Sequence, residues 1–282
     1  MRSVVVTGVS TGIGWATTKV LIKGGFHVFG SVRKAADAER LKGEFGAAFT
    51  PLMFDVTDEA AINAAAGEVR AALKGETLAG LVNNAGVAVA GPLLYLKPED
   101  FRWQMEVNLT SLLLVTQAFA PLLGTDPDVK GPKGRLVNIG STGGRNANPF
   151  MGPYCASKFA LEGFSESLRR ELLGFGVDVI VVAPGAIVTP IWDKAEELDL
   201  TPYLNTPYAK ALGGFRDYMV ANGAKGLPAE AVGETVLNAL TSTAPKVRYE
   251  VRRRNLQSLI QGLLPKRTVD AAMGKALGLT AG

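Results

Sequence analysis

Tyr154 and Lys158 stand four residues apart in the run Tyr154-Cys155-Ala156-Ser157-Lys158, a spacing that puts both on one face of a helix. The chemistry open to such a pair is proton transfer at an oxygen. A phenol titrates near ~10, too high for a base at neutral pH, and a neighbouring ammonium favours the phenolate. Lowering that value by about three units takes roughly 4 kcal/mol of differential stabilisation, within reach of a partly dry cleft. Thirteen residues before the tyrosine stands Ser141, in a turn with Gly140, Gly143 and Gly144 after the apolar run Leu136-Val137-Asn138-Ile139. Its hydroxyl can hydrogen-bond a substrate oxygen as the charge on that oxygen changes. Alone, a Tyr-x-x-x-Lys pair reads as a helix-surface pair; the serine beside it makes the set specific. The single histidine, His27, and single cysteine, Cys155, exclude a His-rich metal site and an intrachain disulfide, and nearly exclude a histidine-based triad. Cys155 reads as a small buried residue and His27 as structural.

A second group could hold a dinucleotide. Thr7-Gly8-Val9-Ser10-Thr11-Gly12-Ile13-Gly14 follows the apolar run Val4-Val5-Val6 and opens a helix-compatible stretch. Glycines let the backbone turn sharply and approach a pyrophosphate, while a helix N-terminus supplies N–H groups and a positive dipole end. The spacing is G-x-x-x-G-x-G rather than G-x-G-x-x-G, and no Gly-Lys-Ser/Thr ending makes it a nucleotidase loop. The plainer reading is a tight connection with no ligand, which the strand–turn–helix context disfavours. Further on, Gly30-Ser31-Val32-Arg33-Lys34 ends the next strand, with no acid before Asp37. An acid there would bond the adenosine ribose, whereas cations beside Thr11 suit a 2′-phosphate, so NADP(H) is expected over NAD(H). Alternatively, Arg33 and Lys34 are only a solvated helix start. An oxidised nicotinamide ring, being cationic, would add to the pull of Lys158 on the tyrosine.

The elements that must position these groups alternate. Short apolar runs at Val4–Val6, Phe26–Phe29, Pro51–Phe54, Leu81-Val82, Leu136–Ile139 and Val177–Val182 are separated by helical patterns near 12–24, 34–44, 58–74, 99–123 and 153–173. That rhythm predicts an α/β fold, a single-domain Rossmann-type doubly wound parallel sheet whose strands are buried on both faces. Ser141, Asn83-Asn84-Ala85-Gly86 and the glycine turn all follow strands, at the sheet edge where open α/β folds bind ligands. The turn-rich stretch 124–134 reads as a surface loop. From 191 to 225 the rhythm weakens around Pro202, Pro207 and Gly213-Gly214, which suggests a cover over the site. Trp192, Tyr203, Tyr208, Phe215 and Tyr218 in that cover could line an apolar pocket or only pack the cover down.

At 282 residues, with 47% hydrophobic and 20% charged side chains, the composition excludes a disordered, collagenous or coiled-coil chain. The formal charge of +4 is uneven. Residues 246–282 hold eight Lys/Arg against Glu250 and Asp270, so the rest of the chain is close to neutral. This divides the chain into a catalytic domain over 1–250 and a basic helical extension over 251–282. Arg252-Arg253-Arg254, with Leu256, Leu259, Ile260, Leu263 and Leu264 at helical spacing, favours subunit or domain packing over membrane-surface contact, and both over nucleic acid. No uncharged apolar run reaches the ~18 residues of a membrane span, and a soluble, reducing, cytoplasmic setting is expected.

Together Thr7–Gly14, Asp55-Val56, Asn83–Gly86, Asn108, Ser141, Tyr154, Lys158 and Pro184-Gly185 with Thr189 resemble the short-chain dehydrogenase/reductase family, in its single-domain branch. The resemblance runs from residue 2 to about 250. It implies Tyr154 as general acid/base, Ser141 as orienter of the substrate oxygen, Lys158 on the nicotinamide ribose, and Asn108 holding a proton-relay water. It also implies a cofactor site of Gly8, Ser10, Thr11, Gly12, Ile13, Gly14, Arg33, Asp55, Val56, Asn83, Ala85, Gly86, Tyr154, Lys158, Pro184, Gly185 and Thr189, with no metal. Asp55 and Val56 would meet adenine, Thr189 the carboxamide, and Thr11 and Arg33 the 2′-phosphate. The Val28–Arg33 stretch and the tail are similar to those of steroid and retinol dehydrogenases, which implies a bulky apolar alcohol or ketone. A homodimer or homotetramer through the helices near 99–123 and 153–173 is implied as well. Two departures stand out: Gly140-Ser141 where the family often has Ser-Ser, and the long loop Asp126–Lys133. A catalytically idle dinucleotide-binding regulator and a sugar-nucleotide epimerase are the alternatives. The first predicts a defect in the Ser–Tyr–Lys set, and the second a longer substrate domain.

Overall fold

Val4 and Val6 point to one face of their strand and Val5 to the other, and all three are fully buried, so the first strand already requires a layer on each side. The computed structural model describes residues 2–189, 199–223, 225–253 and 264–279. Its strands are β1 (Ser3–Val6), β2 (His27–Val32), β3 (Phe49–Met53), β4 (Gly80–Asn83), β5 (Arg135–Ile139), β6 (Asp178–Pro184), β7 (Ile187–Val188), β8 (Leu227–Pro228) and β9 (Arg248–Val251). Seven of them form one parallel sheet in the order β3-β2-β1-β4-β5-β6-β9, while β7 and β8 pair separately. The order reverses between β1 and β4, which opens a crevice at their carboxyl ends. This is the Rossmann-type α/β sheet that the alternation predicts.

Helices α1 (Gly12–Lys23) and α2 (Ala35–Phe45) cover one face, joined by a helix over Glu230–Thr241 whose Val232 and Val236 meet Leu21, Val28 and Val182. The other face packs α3 (Glu59–Leu73) and a long helical run from Pro98 against Val5, Leu81, Leu136 and Val179. That run is not one helix. It is α4 (Pro98–Met105), a π-helical turn over Glu106–Thr110 that contains Asn108, and α5 (Ser111–Phe119). By length and composition Pro98–Leu123 could cross a membrane, but half of it is buried, as in a core helix packed on β4 and α3. α6 (Gly152–Glu171) follows β5.

Pro51 sits inside β3, opposite Gly30, and is tolerated because β3 is an outer strand with its far side unpaired. The loop before β5 is held down at three points. Val129 is buried in the core, Lys130 N donates to Gly75 O at 2.8 Å, and Arg70 pairs with Asp126 at 2.7 Å.

Of the expected cover, 199–223 and 225 are described: a turn at Thr201–Tyr203 and α7 (Ala209–Gly223). With α8 assigned to Glu230–Thr241, α9 is Lys266–Leu277, and it packs on α7 beside Leu277 and Leu279. Trp192, Arg254, Leu256, Leu259, Ile260 and Leu263 lie outside the described residues; Leu264 is exposed.

Candidate active site

α6 places Tyr154 and Lys158 one turn apart, beneath the turn that ends β5. Ser141 Oγ accepts from Gly143 N at 3.0 Å and also hydrogen-bonds the Tyr154 side chain. Gly144 lets the serine turn lie directly on α6, since a Cβ there would stand 2.8 Å from Lys158 O. Lys158 is buried, donates from Nζ to Ile139 O at 2.8 Å, and sits 5.9 Å from the Tyr154 ring centroid. Burial pushes the Lys158 ammonium down to about 8. Burial also pushes the Tyr154 phenol up, against the hydrogen bond from Ser141. The Lys158 ammonium is directed to the Ile139 carbonyl and stands 5.9 Å from the centre of the Tyr154 ring.

Asn108 reaches this centre through the π turn. Its Oδ1 accepts from Val87 N at 2.9 Å, and its Nδ2 donates to Val87 O and Ser157 Oγ at 3.0 and 3.1 Å. The amide thus clamps the loop after β4 to α6. Beside it lies a small cavity lined by Thr7, Asn83, Asn108, Ser111 and Lys158, with room for about one water. Asn83, one of its lining residues, has its Oδ1 buried and without a hydrogen-bond partner among the described residues.

The glycine turn forms a cradle. Gly8 and Gly12 have φ of 68° and 59°, and a Cβ on Gly14 would stand 2.1 Å from Gly8 O, so only glycine lets α1 start this close. Thr11 caps α1 without using its side chain, which leaves the first N–H groups of α1 without a side-chain cap. Two residues to which the sequence assigned no role of their own hold the cradle. Asn84 Nδ2 donates to Thr7 O and Gly8 O at 2.8 and 3.0 Å, and Ser31 Oγ accepts from Gly8 N at 2.8 Å. Asn83 turns inward instead, donating to Asn138 Oδ1 at 3.0 Å. The dinucleotide fit is good: glycines where a Cβ would fill the cradle, a helix N-terminus, and cations at its adenosine side.

Arg33, two-thirds exposed, pairs with Asp55 at 3.3 Å, and Lys34 is exposed beside it. Burial works against the Asp55 charge, but hydrogen bonds from Thr57 and the Arg33 guanidinium hold its carboxyl below the usual range. Val56 is buried, and Ser10 and Ile13 are half-buried. At the other end Gly185, after Pro184, donates to Val251 O at 2.9 Å, and the Thr189 side chain stands 3.5 Å from where a Gly12 Cβ would be. Ala85, whose N donates to Thr7 Oγ1 at 3.0 Å, and Gly86, against Asn108, complete the floor. The structure gathers all these residues along the crevice.

Above Tyr154 is an apolar cluster of Phe150, Met151, Tyr203, Leu212 and Phe215, with Tyr208 and Met219 around it. Phe150 keeps a left-handed φ of 63°, held by edge contacts to Tyr208 and Phe215 at 5.9 and 5.5 Å. Tyr218 is exposed. Cys155 is buried and its thiol is pushed up, so it is not an activated nucleophile. His27 bonds Thr50 Oγ1 at 2.9 Å and is held down by burial. On α6, Glu162 accepts from Arg248 Nε at 2.9 Å and pairs with Arg145 at 3.8 Å, which ties the serine turn to β9.

Comparison with known proteins agrees with this arrangement. Residues 2–199 match the family described as short chain dehydrogenase. The chain is 38% identical over 278 residues to an NADPH-dependent 3-dehydrocapnine reductase of Ornithobacterium rhinotracheale, covering 98% of both chains. It is 33% identical over 265 residues to retinol dehydrogenase 7 of Rattus norvegicus, covering 88% of this chain and 80% of that one. A solved serine dehydrogenase complexed with NADP+ superposes with a TM-score of 0.74 at 26% identity, covering 89% and 95%. With its glycine cradle and its Ser–Tyr–Lys set meeting at the crevice of the parallel sheet, the chain belongs to the short-chain dehydrogenase/reductase family of oxidoreductases.

Proposed function

We propose that the protein is an NADP(H)-dependent reductase or dehydrogenase that moves a hydride between nicotinamide and a carbonyl or secondary alcohol on a bulky apolar substrate. The observation that carries this reading is the meeting of Ser141, Tyr154 and Lys158 between the cradle and the apolar cluster. The cradle, Arg33 and Thr189 would hold the dinucleotide, which supplies the hydride to the carbonyl carbon when bound. In reduction Ser141 and Tyr154 hydrogen-bond the carbonyl oxygen, and Tyr154 gives it a proton as negative charge develops. Lys158, with the cofactor ribose, stabilises the phenolate left behind, which then recovers a proton from solvent. Phe150, Met151, Tyr203, Tyr208 and Phe215 would take the apolar body of the substrate. The NADPH dependence of the capnine-type relative and the retinol name of another support the cofactor and the substrate class.

Tyr154→Phe is expected to cut turnover by more than ~10²-fold while NADPH binding, followed by fluorescence, stays near wild type. Substantial activity in that variant would overturn the mechanism. A regulator without catalysis would be expected to lack one of the three residues, and none is missing; labelled NADPH separates net reduction from epimerisation by its product. The reading includes a homodimer or homotetramer through α4, α5 and α6, where Phe101, Trp103, Leu113 and Phe159 are exposed. A cytoplasmic setting, a 1–250 catalytic body and a 251–282 basic extension complete it.

A further inference from the structure

We propose that Arg40 is a specificity-determining residue for the dinucleotide, a second guanidinium for the 2′-phosphate beside Arg33, with Asp37 as its counterweight. The inference rests on the NADP(H) reading above. Arg40 lies on α2, outside the glycine turn and outside the end of β2, the two places from which cofactor preference is read in a sequence. Yet its Nη2 reaches back 2.7 Å to Ser10 O, the carbonyl just before Thr11. This puts the guanidinium where the cradle, the end of β2 and α2 converge, the adenosine-ribose side of such a crevice. Glu44 braces it from behind, pairing with Arg40 at 3.6 Å and accepting from Trp15 Nε1 at 3.0 Å. The side chain remains 46% exposed, so an anion can reach it.

Each guanidinium at this corner faces a carboxylate. Arg33 is set against Asp55 at 3.3 Å, and Arg40 against Asp37 at 3.0 Å in front and Glu44 at 3.6 Å behind. Both close bonds of Arg40 run through the same nitrogen, Nη2. A guanidinium has five donors in a planar fork and can serve a phosphate while keeping such a bond, which an ammonium does less well. The Asp37 carboxylate repels a phosphate and would accept from a 2′-hydroxyl. One ion pair therefore pulls both ways, Arg40 toward the phosphorylated dinucleotide and Asp37 toward the unphosphorylated one. The preference is set by that balance and not by Arg33 alone.

The test measures dissociation constants of NADPH and NADH for the full-length protein, from the fluorescence of the bound reduced nicotinamide, without turnover. Arg40→Gln is expected to weaken NADPH by about tenfold and leave NADH within about twofold. Asp37→Asn is expected to shift the ratio the other way, and Arg40→Lys to keep part of the preference. The NADPH contact should also weaken more with added salt than the NADH contact. Equal loss of both dinucleotides in Arg40→Gln, or no loss, would show Arg40 to be only a brace for Ser10 and overturn the proposal. Arg33→Gln and the wild type serve as the separate control. If the wild type does not favour NADPH, or Arg33→Gln does not change its preference, the NADP(H) reading itself fails.

Discussion

Lys158 carries its charge where burial resists it, and the effect of pH on stability follows. With the folded value near 8 and the unfolded value at the usual 10.5, the folded chain binds fewer protons than the unfolded one between those limits. Stability contributed at this residue therefore rises with pH across that window, and at pH 7 the buried charge costs about 3 kcal/mol. Lys158→Met should gain about 2 kcal/mol at pH 7, after losing the bond to Ile139 O, with its advantage shrinking between pH 8 and 10.5. Urea unfolding across pH checks this, and the same variant should have little activity. In the function proposed above, the reaction is what the buried charge serves. Tyr154, Lys158, Ser141 and the glycines were legible because their chemistry depends on residue type and local spacing. The roles of Asn84, Ser31 and Arg40 were not, because each acts on backbone 76, 23 or 30 residues away, a relation that spacing does not encode.

The start of α1 shows how little room the elements leave. Gly14→Ala would bring a Cβ to 2.1 Å from the Gly8 carbonyl, and both are backbone-bound, so the turn and α1 must separate. The expected result is a drop in Tm of several degrees and at least tenfold weaker dinucleotide binding, read by calorimetry and fluorescence titration. The Val-rich strands announced themselves by continuous apolar runs buried on two faces. The π turn within 98–123 did not, since one extra residue per turn leaves the helical pattern of Leu112, Val115 and Phe119 intact. β9 was also hidden. As an outer strand its Arg-Tyr-Glu-Val run buries only Val251, and its charges are spent on Glu162 and Glu250. Tyr203, Tyr208 and Phe215 share one cluster with Phe150, whose left-handed backbone no periodicity reveals.

For the whole molecule, the exposed apolar side chains of α4, α5 and α6 set the expected assembly. Phe159→Glu, half exposed on α6 and away from Tyr154, should shift the protein to a smaller species in sedimentation velocity while its isolated fold remains intact. An unchanged sedimentation coefficient would place the subunit contact elsewhere. The layered architecture was legible in the alternation of apolar runs and helices. The partition of charge was legible too, although the way α9 settles on α7 depends on Leu277 and Leu279 meeting a surface far away in the chain. The position of β9 has a further consequence, for the making of the protein. A nascent chain emerges at about 5–20 residues per second, N-terminus first. The cradle, β1, β4 and the Asn84 clamp are all in the first third of the chain, whereas the Arg248 side chain that braces Glu162 under the serine turn arrives near the end. A ribosome-bound chain short of residue 248 lacks the brace on Glu162, so the reaction centre is among the last parts of the fold to be completed.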